Sequence, residues 1–351
     1  MTSLELGGAA DRFVTIGSAD EAREAVCFAR SERLPICVLG VGSNVVIADE
    51  GVPGLMIHPA IGGVELERER RGRRVQVTAS AGESWDDLVA MTVDQNLAGV
   101  ECLSGIPGSV GAAPIQNIGA YGQEVASVIE RVRVLDLANL EVSWIGRERC
   151  GFSYRTSIFR REPGRYLVLA VSLDLVSGGR AAIRYDELKR TLGVGRTSPP
   201  LEDVREAVLE LRRSKSMLIE EGDPNRRSVG SFFLNPVVDP RSLRSLEVYA
   251  RETAISGRTD HVPAFPVADG KFKVPAAWLI ERAGFKKGMR RGSVGISTAH
   301  SLALVHHGGG TTAELIGLAR EIRDGVRRET GIELEPEPVF LGFPSPDPLS
   351  D

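Results

Sequence analysis

Cysteine is scarce: Cys27, Cys37, Cys102 and Cys150 are all that 351 residues contain, and no two form a Cys-x-x-Cys pair. That spacing excludes a disulfide-stapled scaffold, and small buried apolar roles are expected for all four. The histidines, His58, His261, His300, His306 and His307, show no zinc-ligand spacing with them, so neither a metal nor a structural disulfide is expected. No apolar run approaches the ~20 residues that a membrane span needs. The N-terminal stretch lacks the basic segment and apolar core of a signal peptide. A cytoplasmic location follows, without membrane association. Lys and Arg total 43 against 47 Asp and Glu, a net charge of −4. A dominant basic field is therefore absent and no nucleic-acid partner is expected, although local phosphate sites stay open.

What the chain does have is ordinary globular material. Apolar residues make up 42% and charged residues 26%, and the length suits two or three domains with sizeable cores. One stretch organises the rest: Ser104 to Gly122, with Gly105, Gly108, Gly111, Gly119 and Gly122 interleaved with Pro107 and Pro114. The prolines forbid a long helix. The glycines let backbone N–H groups approach a ligand, and clustered N–H groups bind anions. Ser109, Gln116 and Asn117 add side-chain donors. No Lys follows the glycines, so this is no Walker A loop, and Gly-x-Gly-x-x-Gly opening a helix is absent too. Glycine count alone favours an ordered structural loop.

Taken in order, Ser18 to Glu21 is a capping box, with Ala22, Ala25, Val26 and Ala29 inward on a helix reaching about Arg30. Pro35 to Leu39 reads as a buried strand feeding a second glycine turn, Gly40-Val41-Gly42-Ser43-Asn44, after which Val45 to Ile47 resume the sheet. A tight hairpin and a phosphate contact both fit that turn. Glu65 to Arg74 is a solvated hairpin, and Arg74 to Ala79 alternates like a half-buried strand. Ser84 opens a helix carrying Leu88, Val89 and Val93. Val132 to Leu137 and Tyr166 to Leu175 are strands. Ser177 to Arg180 is a turn, and Thr197 to Pro200 is the linker candidate. The next helix turns Val204, Val208 and Leu211 inward and ends in Arg212, Arg213 and Lys215, suited equally to a solvated end or to a phosphate. Residues 222 to 230 read as a loop. Pro275 to Arg282 is a helix stopped by Gly284, and Thr311 to Glu314 is a second capping box opening a helix that Gly331 ends. From Pro344 a loose tail is expected. Strands and short helices mix without the steady alternation of a doubly wound sheet.

The full string 104–122 resembles the flavin-binding loop of the UDP-N-acetylenolpyruvoylglucosamine reductase family. The resemblance covers roughly residues 12 to 343. Leu39 to Asn44 is similar to the family's first flavin turn, and Cys150 to Phe159, containing Tyr154-Arg155, to its Tyr-Arg motif. Gly230-Ser231-Phe232-Phe233 resembles its Gly-Ser-Phe-Phe segment, and Leu334-Glu335-Pro336-Glu337 its C-terminal glutamate motif. The resemblance implies an α+β protein. Residues 1–197 would form a flavin-binding region of the vanillyl-alcohol-oxidase type in two subdomains, and residues 198–343 a substrate-binding domain, with 344–351 as tail. It implies noncovalent FAD, NADPH as reductant, a UDP-sugar substrate and a monomer. The activity implied is reduction of an enolpyruvyl ether to UDP-N-acetylmuramate, a step of peptidoglycan precursor synthesis. One alternative is another FAD-dependent oxidoreductase on the same scaffold, which NADPH oxidation dependent on the enolpyruvyl substrate separates. The other is a nucleotide-sugar binding protein without redox activity, which flavin absorption of the purified protein disposes of.

The reaction needs a hydride at one vinyl carbon and a proton at the next, with charge building on the adjacent carboxylate. A guanidinium offers paired donors and stays charged; the resemblance gives that role to Arg155, which otherwise reads as a surface ion pair. It gives the proton to Ser231, otherwise a turn serine, and makes Glu337 the catalytic carboxylate, otherwise a solvated glutamate. Flavin contacts are implied for Gly40, Val41, Gly42, Ser43, Asn44, Ile106, Pro107, Gly108, Ser109, Gly111, Ala112, Ile115, Gly119 and Arg212. Substrate contacts are implied for Tyr121, Tyr154, Tyr185, Lys215, Asn235 and His300. The sequence departs from the family at Leu234, where relatives often carry Lys, at Val339, where some carry Arg, and at His300, in a segment where others have Gln.

Overall fold

The computed structural model describes residues 2–68, 72–193, 199–253 and 261–350. The chain divides into two compact units, one of residues 9–42 and 52–218, the other of residues 1–8, 43–51 and 219–351. The expected linker residues Thr197 and Ser198 lie outside the described residues. Helix Leu201–Ser214 belongs to the larger unit, so the expected 198–343 segment and the smaller unit coincide only from residue 219 on.

The larger unit is built on two main sheets, besides a small hairpin. Strands Ala10–Ile16, Val52–Pro59 and Ile36–Val38 form a parallel sheet with Val52–Pro59 in the middle. Helix Ala19–Ser31 turns Ala22, Ala25, Val26 and Ala29 into a core shared with Ile16, Leu55, Ile57 and Leu167. Ser18 caps it by accepting from the N–H of Glu21, while the Glu21 carboxylate reaches back to Gly17 instead of to the cap itself. The second sheet is antiparallel, in the order Val142–Gly146, Ile129–Asp136, Tyr166–Ser177, Arg74–Ser80, Val64–Arg68, with Leu97–Ala98 also paired to Tyr166–Ser177. Helices Trp85–Asp94 and Leu201–Ser214 contribute Trp85, Leu88, Val89, Val93, Val204 and Val208 to its core. The indole N–H of buried Trp85 donates to Leu103 O at 3.1 Å, just ahead of the glycine-rich stretch.

The smaller unit contains a four-stranded antiparallel sheet, Ser228–Ser231, Ala303–His306, Val294–Ile296, Arg290–Arg291, packed by helix Thr312–Thr330 through Leu315, Leu318, Ile322 and Val326, beside a three-stranded sheet of Val237–Val238, Phe272–Lys273 and Phe265–Pro266. That helix has a complete capping box between Thr311 and Glu314. Asp49 adds a second anchor, its two carboxylate oxygens accepting from the N–H groups of Thr312 at 2.7 Å and Ala313 at 2.9 Å. Both N–H groups are helix-terminal orphans facing a negative charge.

Four expectations change. Val45–Ile47 does not resume the sheet of Ile36–Val38; it pairs in parallel with Val339–Leu341 of the smaller unit, so the Gly40–Asn44 turn is no hairpin. Ser228 already begins a strand, which shortens the loop read over 222–230. The tail is docked: Leu349 is 1% exposed, Arg320 donates to Pro348 O at 2.8 Å, and Arg323 meets Asp347 at 3.2 Å. Burying one leucine contributes roughly 1.5–3 kcal/mol, enough to hold a short tail. Finally, Cys27 is exposed, because the inward face of helix Ala19–Ser31 is taken by its alanines and Val26, and Cys37, on strand Ile36–Val38, is only partly buried. All four cysteines are free thiols; burial first, and Glu101 second, push the Cys102 thiol up to about 12. Among the described residues no helix is long and apolar enough to cross a membrane.

Candidate active site

In the larger unit the two glycine-rich segments meet. A Cβ built on Gly40 would stand 3.1 Å from Ser109 Oγ and 3.8 Å from Ala112 Cβ. His58 fixes the approach, its Nδ1 lying 2.9 Å from Leu39 O and 3.1 Å from Gly40 O. Gly42 and Gly108 take φ of +71° and +151°, values that disfavour any side chain. Inside the stretch, the N–H groups of Val110, Gly111 and Ala112 are bonded to Glu83 O, Ala81 O and Ser109 O. Those of Gly40, Gly108 and Ser109 have no acceptor among the described residues. Donors left over at two adjoining glycine turns suit the pyrophosphate of a dinucleotide. Gly111 is a glycine for another reason: a Cβ there would stand 2.6 Å from Ala81 Cβ.

The far end of the stretch is a hairpin. Gly119–Ala120 pairs with Gln123–Glu124, and the connecting residues Tyr121 and Gly122 both have positive φ, +48° and +82°, the requirement of a type I′ turn. Arg155 sits in a second tight turn, in which Ser153 and Thr156 exchange backbone hydrogen bonds at 3.1 and 3.2 Å. Its own φ is +53°, a conformation costing of order 1–3 kcal/mol for a residue with a Cβ. The guanidinium repays the hairpin by donating to Asn117 O at 3.3 Å and Gly119 O at 2.7 Å. Asn117, 1% exposed, ties the turns together: Nδ2 donates to Glu124 at 2.9 Å and to Ser153 O at 3.1 Å, and Oδ1 accepts from Ala126 N–H. Asn117, expected to offer donors to a ligand, therefore spends them inside the protein. Gln116 accepts from Arg160 at 3.2 Å, and Ser157 donates to Ile115 O at 2.6 Å.

The start of the stretch is clamped from both sides. Gly105 N–H donates to Asp86 at 2.6 Å, and Gly105 O accepts from Arg212 Nε at 3.1 Å. Arg205 pairs with both oxygens of Asp86 at 2.6 and 2.9 Å. Burial alone would raise the Asp86 pKa; the hydrogen bonds from Arg205 and Gly105 outweigh it and leave the group below the ordinary carboxylate range. Burial of its head pulls Arg212 down, opposed by Tyr121 and Asp86. Nearby, Lys215 pairs with Glu187 at 2.5 Å and stands 5.8 Å from the centre of the Tyr121 ring, which meets Tyr185 edge-on at 5.5 Å. Burial pushes Tyr121 up to about 12. Arg155, Tyr154, Tyr121, Tyr185, Lys215 and Arg212 are thus all in the larger unit, the first two on one turn, Tyr121, Tyr185 and Lys215 about one aromatic contact, and Arg212 close enough for its charge to act on Tyr121.

The smaller unit brings the other predicted residues together. Ser231 ends strand Ser228–Ser231, where two residues, Val229 and Gly230, oppose one, Leu304, on Ala303–His306, and Gly230 takes φ +73°. Such a bulge re-aims the side chain at its edge. Beyond it, Phe232 O accepts from Glu337 N–H at 2.9 Å and Leu234 N–H donates to Glu335 O at 2.9 Å, so the Ser231 and Glu337 segments run side by side. Phe232 and Phe233 are buried beneath them, 0% and 1% exposed. The His300 turn leads into Ala303, the partner of Ser231. His300 Nδ1 accepts from Leu302 N–H, which leaves the proton on Nε2. Asn235 Oδ1 accepts from Ala276 N–H at 2.9 Å, capping helix Ala276–Arg282 and leaving the amide's donor end as the part suited to a phosphate. Ser43 and Asn44 also belong to this unit, and Asn44 O accepts from Val339 N–H.

His58, Asp86, Arg205, Glu101 and Gln123 support these sites but carry no local sequence signal; only the pairing of distant segments reveals them.

A family model for an FAD binding domain matches residues 10–146, and a model for the UDP-N-acetylenolpyruvoylglucosamine reductase C-terminal domain matches residues 223–341. The UDP-N-acetylenolpyruvoylglucosamine reductase of Thermobifida fusca (strain YX) is 47% identical over 347 residues, 97% of this chain and 95% of the relative. The protein of that name from Saccharopolyspora erythraea is 45% identical over 97% of this chain and 93% of its own length. A crystal structure of the Thermus caldophilus reductase, 26% identical, superposes with a TM-score of 0.63 over 97% of this chain and 95% of that one. Residues 147–222, holding Arg155, Tyr185, Arg212 and Lys215, fall between the two models but inside the span shared with these relatives.

Proposed function

The chain belongs to the UDP-N-acetylenolpyruvoylglucosamine reductase family, FAD-dependent oxidoreductases, and from that premise we propose how its residues divide the work. The substrate is UDP-N-acetylenolpyruvoylglucosamine and the product UDP-N-acetylmuramate. When bound, noncovalent FAD supplies the hydride chemistry, recharged by NADPH. The N–H groups of Gly40, Gly108 and Ser109 hold its pyrophosphate, with Val41, Gly42, Ile106, Pro107 and Ala112 lining it.

Addition of hydride to the terminal vinyl carbon puts two electrons onto the substrate and leaves negative charge on Cα and its carboxylate. Arg155 meets that charge. Its planar fork can hold both carboxylate oxygens and strengthens both contacts as the charge grows. Ser231 then gives its hydroxyl proton to Cα, completing the saturated ether, and recovers a proton through Glu337 or solvent. Lys215, Tyr121, Tyr185, Asn235 and His300 bind the nucleotide-sugar portion. The single observation carrying this reading is the backbone ladder from Phe232 to Glu337. It sets a hydroxyl at a bulge and a carboxylate between two prolines on neighbouring segments.

Anaerobic absorbance spectra test the reading. NADPH should bleach the flavin band, and the enolpyruvyl substrate should restore it. A band that stays bleached after substrate would refute it.

A further inference from the structure

We infer that Glu101 and Gln123 form a polarity-coded staple that positions Arg155 and Tyr121, an inference that rests on the flavin and substrate reading above. Glu101 is 1% exposed, just before the stretch begins at Ser104, and Gln123 lies just after it ends at Gly122. Glu101 Oε2 accepts from Gly99 N–H at 2.7 Å. Its Oε1 accepts from Gln123 Nε2 at 3.3 Å, and Gln123 Oε1 accepts from Cys102 N–H at 2.9 Å. The two side chains therefore close the base of the loop across 22 residues of sequence. Among the described residues, every partner of the buried carboxylate is a neutral donor, and leaving such a group unsatisfied is costly.

What the staple holds is functional. Gln123 pairs with Ala120, and its own carbonyl lies 2.9 Å from where a Gly119 Cβ would stand. Gly119 O receives the Arg155 guanidinium at 2.7 Å. Tyr121, at the hairpin tip between them, contacts Tyr185 and Lys215. A shift of Gln123 therefore moves the carbonyl that aims Arg155 and the ring that faces the substrate lysine. Glu101 and Gln123 are positioning residues, acting through the hairpin.

The direction of the hydrogen bonds gives the test. In Glu101→Gln, the new amide must accept from Gly99 N–H and so turns its NH2 toward Gln123. Gln123 can answer only by turning its own NH2 onto Cys102 N–H. Gln123→Glu places two carboxylates side by side. The double exchange Glu101→Gln/Gln123→Glu restores every pair: Gln at 101 accepts from Gly99 and donates to Glu at 123, whose other oxygen accepts from Cys102.

Flavin affinity by fluorescence, Tm, and single-turnover oxidation of the reduced enzyme by the enolpyruvyl substrate should be measured for both singles and the double. Each single should weaken flavin binding roughly tenfold, the size of one hydrogen bond to a charged group. Each should slow substrate-driven oxidation by up to about 10²-fold through misplacement of Arg155, with KM changing less than kcat. The double should return flavin affinity and rate to within about threefold of wild type, a strongly non-additive cycle. If Gln123→Glu is insoluble, Glu101→Gln against the double carries the same comparison. Singles that match wild type, or a double whose losses are the sum of the singles, would overturn the staple. Wild-type enzyme inert toward the substrate would instead refute the function, and the flavin-affinity and Tm cycles would still decide the staple.

Discussion

The two units fix their key side chains by opposite means. In the larger unit, Arg155 is aimed by turns: it sits at φ +53° beside a hairpin whose tip residue Tyr121 is at +48° and whose tie Asn117 is at +46°. Three non-glycine residues in the left-handed region cluster about one guanidinium, and side-chain bonds to backbone carbonyls hold them there. In the smaller unit, Ser231 and Glu337 are aimed by strand pairing, with the only positive φ in the immediate segment on Gly230. Turn-built geometry depends on many neighbours and tolerates little. Ladder-built geometry is local and should survive removal of a single side chain with its backbone intact.

Substitutions in each unit can break that contrast. Ser231→Ala removes only a hydroxyl from an intact ladder. Oxidation of the reduced enzyme by substrate should slow ~10²–10⁴-fold, the usual worth of a general acid, while flavin reduction by NADPH and Tm stay near wild type. Equal losses in both half-reactions would make Ser231 structural. Arg155→Lys exchanges the fork for a single ammonium and frees Gly119 O. Losing one preorganised donor costs ~2.7–4 kcal/mol, or about 10²–10³-fold in kcat. Here, unlike at Ser231, a fall in Tm should accompany the loss. A variant whose KM rises at unchanged kcat would show uniform binding by Arg155.

Much of the regular structure could be read from the chain, and for a physical reason. Ser18, Ser84 and Thr311 each accept from an N–H three residues on; caps are short-range and leave short-range signatures. The apolar faces of helices Ala19–Ser31 and Thr312–Thr330 likewise follow helical spacing. Cys27 was a local misreading, an outward position on its own helix; the larger misreadings were long-range. Val45–Ile47 looked like a continuation of its neighbour because its partner, Val339–Leu341, lies almost 300 residues on. The C-terminal segment looked loose because its anchors, Arg320 and Arg323, lie on a helix whose spacing shows only the apolar face of Leu315, Leu318, Ile322 and Val326. At the proposed site, only the motifs that carry the family resemblance pointed to Arg155, Ser231 and Glu337; residue type alone read them as an ion pair, a turn serine and a solvated glutamate. No pattern could say that Asn117 points inward or that Glu101 reaches Gln123.

Smaller effects sharpen the comparison. Asp49→Ala removes the second anchor of helix Thr312–Thr330 while leaving the capping box. The cost should be ~0.5–2 kcal/mol of stability, read as a lower denaturation midpoint, with the flavin spectrum unchanged. The smallest effect concerns pH. Burial raises Tyr121 to about 12, against an ordinary tyrosine near ~10. The unfolded chain therefore loses this proton first. The contribution to stability is complete below pH ~10 and disappears as pH rises toward about 12. Tyr121→Phe should flatten the stability curve in that window, and ultraviolet titration should lose one late-titrating phenol.

The ladder claim is tested most directly by single-turnover oxidation of the reduced enzyme with the enolpyruvyl substrate, in Ser231→Ala, Glu337→Gln and the double variant. Side chains that share one proton step on paired segments act as a unit, so the double should be no slower than the slower single. Losses that multiply, each variant contributing its full factor, would show two independent roles and contradict the shared step.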